Sequence, residues 1–100
     1  GDRRLAAVMS SLRGLVLVML GRPSEGFGSL LHAETELRAI GDRVQLCTAI
    51  CRRAAAELER GRLEQARTLL RSARAQAGSA VGGDLGHAMD VLTKQLADGG

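Results

Sequence analysis

Apolar residues return at three- and four-residue steps along most of this chain. The clearest stretch is Gly61 to Ala77, where Leu63, Ala66, Leu69, Leu70, Ala73 and Ala77 share one face of a helix. Four further runs carry the same period. Asp2 to Leu20 predicts a first helix, with Asp2 as its N-cap and Gly21 as its stop. A second starts at Pro23 and shows the stripe Phe27, Leu30, Ala33, Leu37 and Ile40. The third, Asp42 to about Arg60, places Leu46, Cys47, Ile50, Ala54 and Leu58 inside. The fifth, Asp84 to about Ala97, aligns Leu85, Ala88, Met89, Leu92 and Leu96. No segment alternates at period two, so the pattern predicts an all-α fold of about five helices and no sheet.

Two markers recur at one spacing. Gly1-Asp2-Arg3 returns as Gly41-Asp42-Arg43, and Gly21-Arg22 returns as Gly61-Arg62, each forty positions on. A third, weaker Gly83-Asp84 comes two residues late for that register. The chain therefore reads as antiparallel helix-turn-helix repeats over residues 1–40 and 41–82, with a partial third over 83–100, all in one domain. Because the pattern stops within a repeat, a longer parent protein is expected. Gly14, in mid-helix, predicts a close approach of another helix, since it costs about 1 kcal/mol relative to Ala. Gly26 and Gly28 predict a loose start to the second helix. Gly78 to Gly83 reads as a hinge or a longer turn.

Composition narrows the picture. A chain of 100 residues with 45% hydrophobic side chains, but one Phe and neither Trp nor Tyr, fills its core with aliphatic residues and Ala. The charged residues are 13 Arg and Lys94 against 11 acids, a net charge of +3. Such a mild balance, with acids interleaved, does not point to nucleic acid. The Arg-for-Lys bias with abundant Ala and Gly fits a GC-rich bacterial genome. Leu15 to Leu20 is apolar on every side, yet falls far below the ~20 residues that span a bilayer. No signal peptide and no membrane association are expected.

Candidate chemistry is sparse. Cys47 and Cys51 stand at i,i+4, but His32 and His87 lie on other helices without ligand spacing, so the thiols read as small buried packing groups and no metal or cofactor is expected. The two histidines read as half-exposed and structural. Arg60, Arg62, Arg67, Arg71 and Arg74 are interleaved with Glu57, Glu59 and Glu64, which favours a solvated, salt-paired face over a phosphate site. Serines lack an adjacent His and acid, and Gly78 to Gly83 lacks the Lys and Ser/Thr of a phosphate loop, so no catalysis is expected.

The small residues complete the pattern. Ala54, Gly61, Ala66 and Ala73 in the second repeat, and Gly14, Gly21, Gly26 and Ala33 in the first, resemble the small-residue positions of tetratricopeptide repeats. The forty-residue period exceeds the usual ~34, and Ser10, Ile50, Leu17 and Glu57 stand where that family often carries aromatic residues. Long repeats with this Gly-Asp-Arg junction resemble those of large bacterial LuxR-type regulators and similar signal-transduction ATPases.

The resemblance implies an α-solenoid whose first helices line a groove. Val8, Ser11, Leu15 and Val18 would face it from helix one, and Thr48, Cys51, Ala55 and Leu58 from helix three. Leu15 to Leu20 reads equally well as core. An apolar groove without a basic clamp suits a protein or peptide partner. It implies a protein–protein interaction module of a cytoplasmic bacterial regulator; the alternative is a small-molecule-sensing regulatory domain of a transcription activator. Uncovered ends of a short array also imply self-association, through Leu15 to Leu20 or helix five.

Overall fold

The computed structural model describes residues 2–78 and 83–99; the expected hinge over 79–82 lies outside the described residues. Among the described residues all regular structure is helical: α1 (Asp2–Met19), α2 (Pro23–Ile40), α3 (Arg43–Glu59), α4 (Leu63–Ala77) and α5 (Gly83–Gly99). The helices pair as α1 with α2 and α3 with α4. Helix α3 lies against both members of the first pair, and α5 against both members of the second. The odd-numbered helices thus meet in a row. The resulting slab measures 39 × 34 × 18 Å, its short dimension close to two helix diameters.

The forty-residue repeat is physical as well as textual. At the first turn Gly21 (φ 83°) donates to Val18 and Arg22 donates to Leu17; at the second, Gly61 (φ 77°) donates to Leu58 and Arg62 to Glu57. The four bonds measure 2.9–3.0 Å. Glycine suits these left-handed positions, where a Cβ is strained. Residues 21–31 and 61–71 also follow the same order of buried, half-buried and exposed positions. Between repeats, Asp42 caps α3 by accepting from the Gln45 amide at 3.0 Å, and its carboxylate pairs with Arg4 at 2.7 Å. Asp2, expected as a cap, is itself the first residue of α1 and sits in the first turn.

Small residues set the helix spacing. A Cβ built on Gly14 would lie 2.6 Å from the Gly26 carbonyl oxygen and 2.7 Å from Leu30 Cγ. One built on Gly26 would lie 2.5 Å from Val18 Cγ2 and 2.6 Å from the Gly14 oxygen. Gly14 therefore marks a close helix crossing. Gly26 stands on the other side of it, buried, so this part of α2 is a tight contact and not the loose start expected from its composition. The second repeat places Ala54 and Ala66 at the matching positions, both fully buried.

The larger core cluster joins Ala7 and Leu37 to Leu46, Cys47, Ile50, Cys51 and Ala54 of α3, Leu70 and Ala73 of α4, and Leu85, Met89, Leu92 and Leu96 of α5. A smaller one gathers Val18, Leu30 and Ala56, with Leu15 and Phe27 at its edge. Leu15 to Leu20 divides between core and surface. Leu17 and Val18 are buried, whereas Val16, Met19 and Leu20 are exposed, and Leu20 falls just beyond the end of α1. No described helix is long and apolar enough to cross a membrane.

Candidate functional site

The row of odd-numbered helices opens a pocket of about 350 Å³. Leu15 of α1 forms one edge, Thr48, Cys51, Arg52 and Ala55 of α3 the floor, and Ala88, Val91, Leu92 and Gln95 of α5 the far wall. Its surface is mostly carbon. Arg52, Thr48 and Gln95 supply the polar side chains. Thr48 spends its hydroxyl proton on the Val44 carbonyl at 3.0 Å, which leaves its oxygen free to accept.

Four of the eight positions expected to line a groove surround this pocket: Leu15, Thr48, Cys51 and Ala55. The other four do not. Ser11 is fully buried; its hydroxyl donates to the Val8 carbonyl and accepts from Arg52 Nη1, both at 2.8 Å. Val8 is half-buried beside it. Val18 belongs to the smaller core cluster, because the helix turns it toward α2 at the glycine crossing. Leu58 packs, half-buried, against the larger cluster. For Ser11 and Val18 the groove expectation is thus corrected: both are interior.

The α5 wall escaped the sequence reading for a definite reason. Ala88, Val91, Leu92 and Gln95 stand forty positions after Thr48, Cys51, Arg52 and Ala55. Helix α5 begins at Gly83, in the same register as the start of α3 at Arg43. The Gly83-Asp84 pair suggested a shift of two residues, but apolar packing keeps the strict register. Extending the groove positions by the repeat period would have found three of these four residues.

Electrostatics at the pocket follow from burial. Cys47 and Cys51 are free thiols in the core. Removal from water pushes both thiols up, Cys51 to about 11, with the neighbouring Cys47 adding to the effect and Arg74 and Arg52 opposing it. Burial also pulls the Arg52 guanidinium below its ordinary value. Cys51 thus presents a protonated, weakly polar surface at neutral pH. Among the described residues no three His, Cys, Asp or Glu side chains converge as metal ligands. His32 and His87 are exposed.

Away from the pocket, polar ties fasten helix to helix. Glu34, buried on α2, faces Arg53 of α3: Nη2 donates to Oε1 at 3.1 Å, and Nε stands 2.6 Å from Oε2 as an ion-pair contact without hydrogen-bond alignment. The matching place in the next repeat holds Arg74, which donates to the Thr93 hydroxyl at 2.6 Å. Arg67 pairs with Glu64 at 2.7 Å, and Arg62 with Glu57 at 3.4 Å while lying 5.8 Å from the Phe27 ring centre. Much of the α4 arginine charge is therefore engaged with protein oxygens. No family model, no curated protein and no solved structure matches this chain.

Proposed function

We propose that the chain is a protein–protein interaction module of the tetratricopeptide kind, part of a cytoplasmic bacterial regulator, and that it holds an apolar segment of its partner against α1, α3 and α5. The observation behind this reading is the carbon-rich pocket bounded by Leu15, Ala55 and Val91, built from three alternate helices, α1, α3 and α5. Such a surface takes the apolar stripe of a helix or an extended segment, and the few polar groups around it fix orientation.

The test is selection of binding peptides from a helical display library, followed by calorimetry with wild type and Ala55→Trp. Ala55 is half-buried in the pocket floor, so an indole there fills the space. Peptides that bind wild type and lose at least tenfold affinity for the variant support the module. Binding unaffected by Ala55→Trp, or no peptide selected, defeats it.

A second reading rests on the pocket's size. A volume of about 350 Å³ lies within the range that small-molecule sites occupy, roughly 300–1,000 Å³. On this reading the pocket senses a small apolar ligand bearing one group that accepts from Arg52. Thermal-shift screening against metabolites, repeated on Ala55→Trp, separates the two: a ligand that raises Tm for wild type alone favours sensing.

A further inference from the structure

Helix α1 carries a second apolar surface, on the side away from its core residues Ala7, Gly14 and Val18. Leu5, Met9, Leu12 and Val16 follow one another at four- and three-residue steps and are 40–62% exposed. This is the spacing by which one helix seats its side chains against others. Large apolar chains exposed in so regular a row mark a contact surface more than chance exposure.

The chain itself shows what such a row packs against. Two repeat periods on, in the same register, stand Leu85, Met89, Leu92 and Leu96 of α5, identical at the first three positions and Leu for Val at the fourth. There the row is 5% exposed or less. It shares a core cluster with Cys51 and Ala54 of α3 and Ala73 and Ala77 of α4, the two helices that α5 touches. Long side chains are seated on a hairpin whose buried residues mix small ones with Leu46, Ile50 and Leu70. Two copies of the α1 row would instead meet without the small Cys51, Ala54, Ala73 and Ala77 that stand among the larger residues there.

We propose that the Leu5-Met9-Leu12-Val16 face of α1 is a docking surface for a helical hairpin of this same forty-residue kind, packed on it as α3 and α4 pack on α5. This surface is separate from the pocket, and the proposal stands whether or not the pocket takes a peptide. The chemistry required of the occupant is specific: two antiparallel helices offering a mixed surface of small and aliphatic side chains, as Cys51, Ala54, Leu70 and Ala73 do for α5. Arg67 and Arg74 of α4 donate to the Leu96 and Met89 carbonyls of the α5 row at 3.4 and 3.5 Å, so basic side chains at the matching places of the occupant also fit.

The repeat register supplies the experiment. In an extended chain, residues 41–80 are duplicated ahead of residue 1, so that a second copy of the hairpin stands to α1 as α3–α4 stands to α5. Met9→Cys is introduced into both the original and the extended chain, and alkylation at position 9 is read by peptide mass. The rate is expected to fall at least tenfold in the extended chain. In parallel, Met9→Glu is expected to leave the Tm of the original chain within a degree or two and to lower that of the extended chain clearly. Equal alkylation rates, or Met9→Glu neutral in both chains, overturns the proposal. So does an original chain that sediments as a dimer and becomes monomeric with Met9→Glu, since the face then belongs to a second copy.

Discussion

Replacing Gly14 with alanine adds one methyl group where α1 and α2 cross. That carbon would sit 2.6 Å from the Gly26 carbonyl oxygen and 2.7 Å from Leu30 Cγ, with the Leu30 amide nitrogen at 3.0 Å. Two of the three neighbours are backbone atoms, and Leu30 is fully buried, so no flexible side-chain end can yield. The helices must part. Overpacking of this kind costs roughly 1–3 kcal/mol, and a backbone clash belongs toward the upper end. The gain in helix propensity on Gly→Ala returns about 1 kcal/mol. A net loss of about 2 kcal/mol is expected.

Gly28 is the control, two residues from Gly26 on the same helix. It is exposed, and a Cβ there meets nothing within 4 Å. Gly28→Ala keeps the propensity gain without the clash and is expected to stabilise by up to about 1 kcal/mol. Urea titrations followed by circular dichroism at 222 nm, with a shared slope, measure both. Opposite signs are the expected result, separated by on the order of 10 °C or more in Tm for a domain of this size. Gly26→Ala should resemble Gly14→Ala, and the double variant should lose less than the sum, because one parting of the helices relieves both clashes. A Gly14→Ala variant as stable as Gly28→Ala would refute the close crossing.

Three more outcomes follow from the geometry. Arg53→Met leaves the buried Glu34 carboxylate without its cation. The expected loss is about 2 kcal/mol, below the roughly 3–5 kcal/mol of a fully buried pair because Arg53 is partly exposed, and Glu34→Leu added to it should recover most of that in the same urea assay. Gly61→Ala forces a Cβ into the left-handed turn and should lower stability by about 1 kcal/mol, as should Gly21→Ala, whereas equal stability would mean that the two turns are not held by their backbone bonds. The folded state holds the Cys51 proton up to about pH 11 and the unfolded thiol releases it near 9, so stability should fall as pH rises through that window and be fully present below it. Denaturation midpoints at pH 8 and pH 10.5 test this; Cys51→Ala should show the smaller drop.

Local chemistry made the helices legible. Their starts and stops follow from Gly21, Pro23, Gly41, Asp42 and Gly61, whose backbone preferences need no distant partner. The pocket was half legible. Leu15, Thr48, Cys51 and Ala55 shared a periodic face in the sequence, but so did Ser11 and Val18, which went to the interior. Periodicity assigns a residue to a stripe, and the crossing angle decides which edge of the stripe is covered. The buried Glu34 carried no signal at all, since its burial depends on Arg53 reaching over from the next repeat.

The sequence by itself determined five helices, their turns and the forty-residue register, because each depends on hydrogen bonds and side-chain spacing within a few residues. Tertiary structure alone decided burial. Leu5, Met9, Leu12 and Val16 differ hardly at all from Leu85, Met89, Leu92 and Leu96, yet the first set is exposed and the second is core. The physical difference is a hairpin packed on that face of α5, whereas no described residues cover the same face of α1. Likewise Gly26 reads in sequence as a weak helix start, and becomes a tight contact only when Gly14 is brought against it.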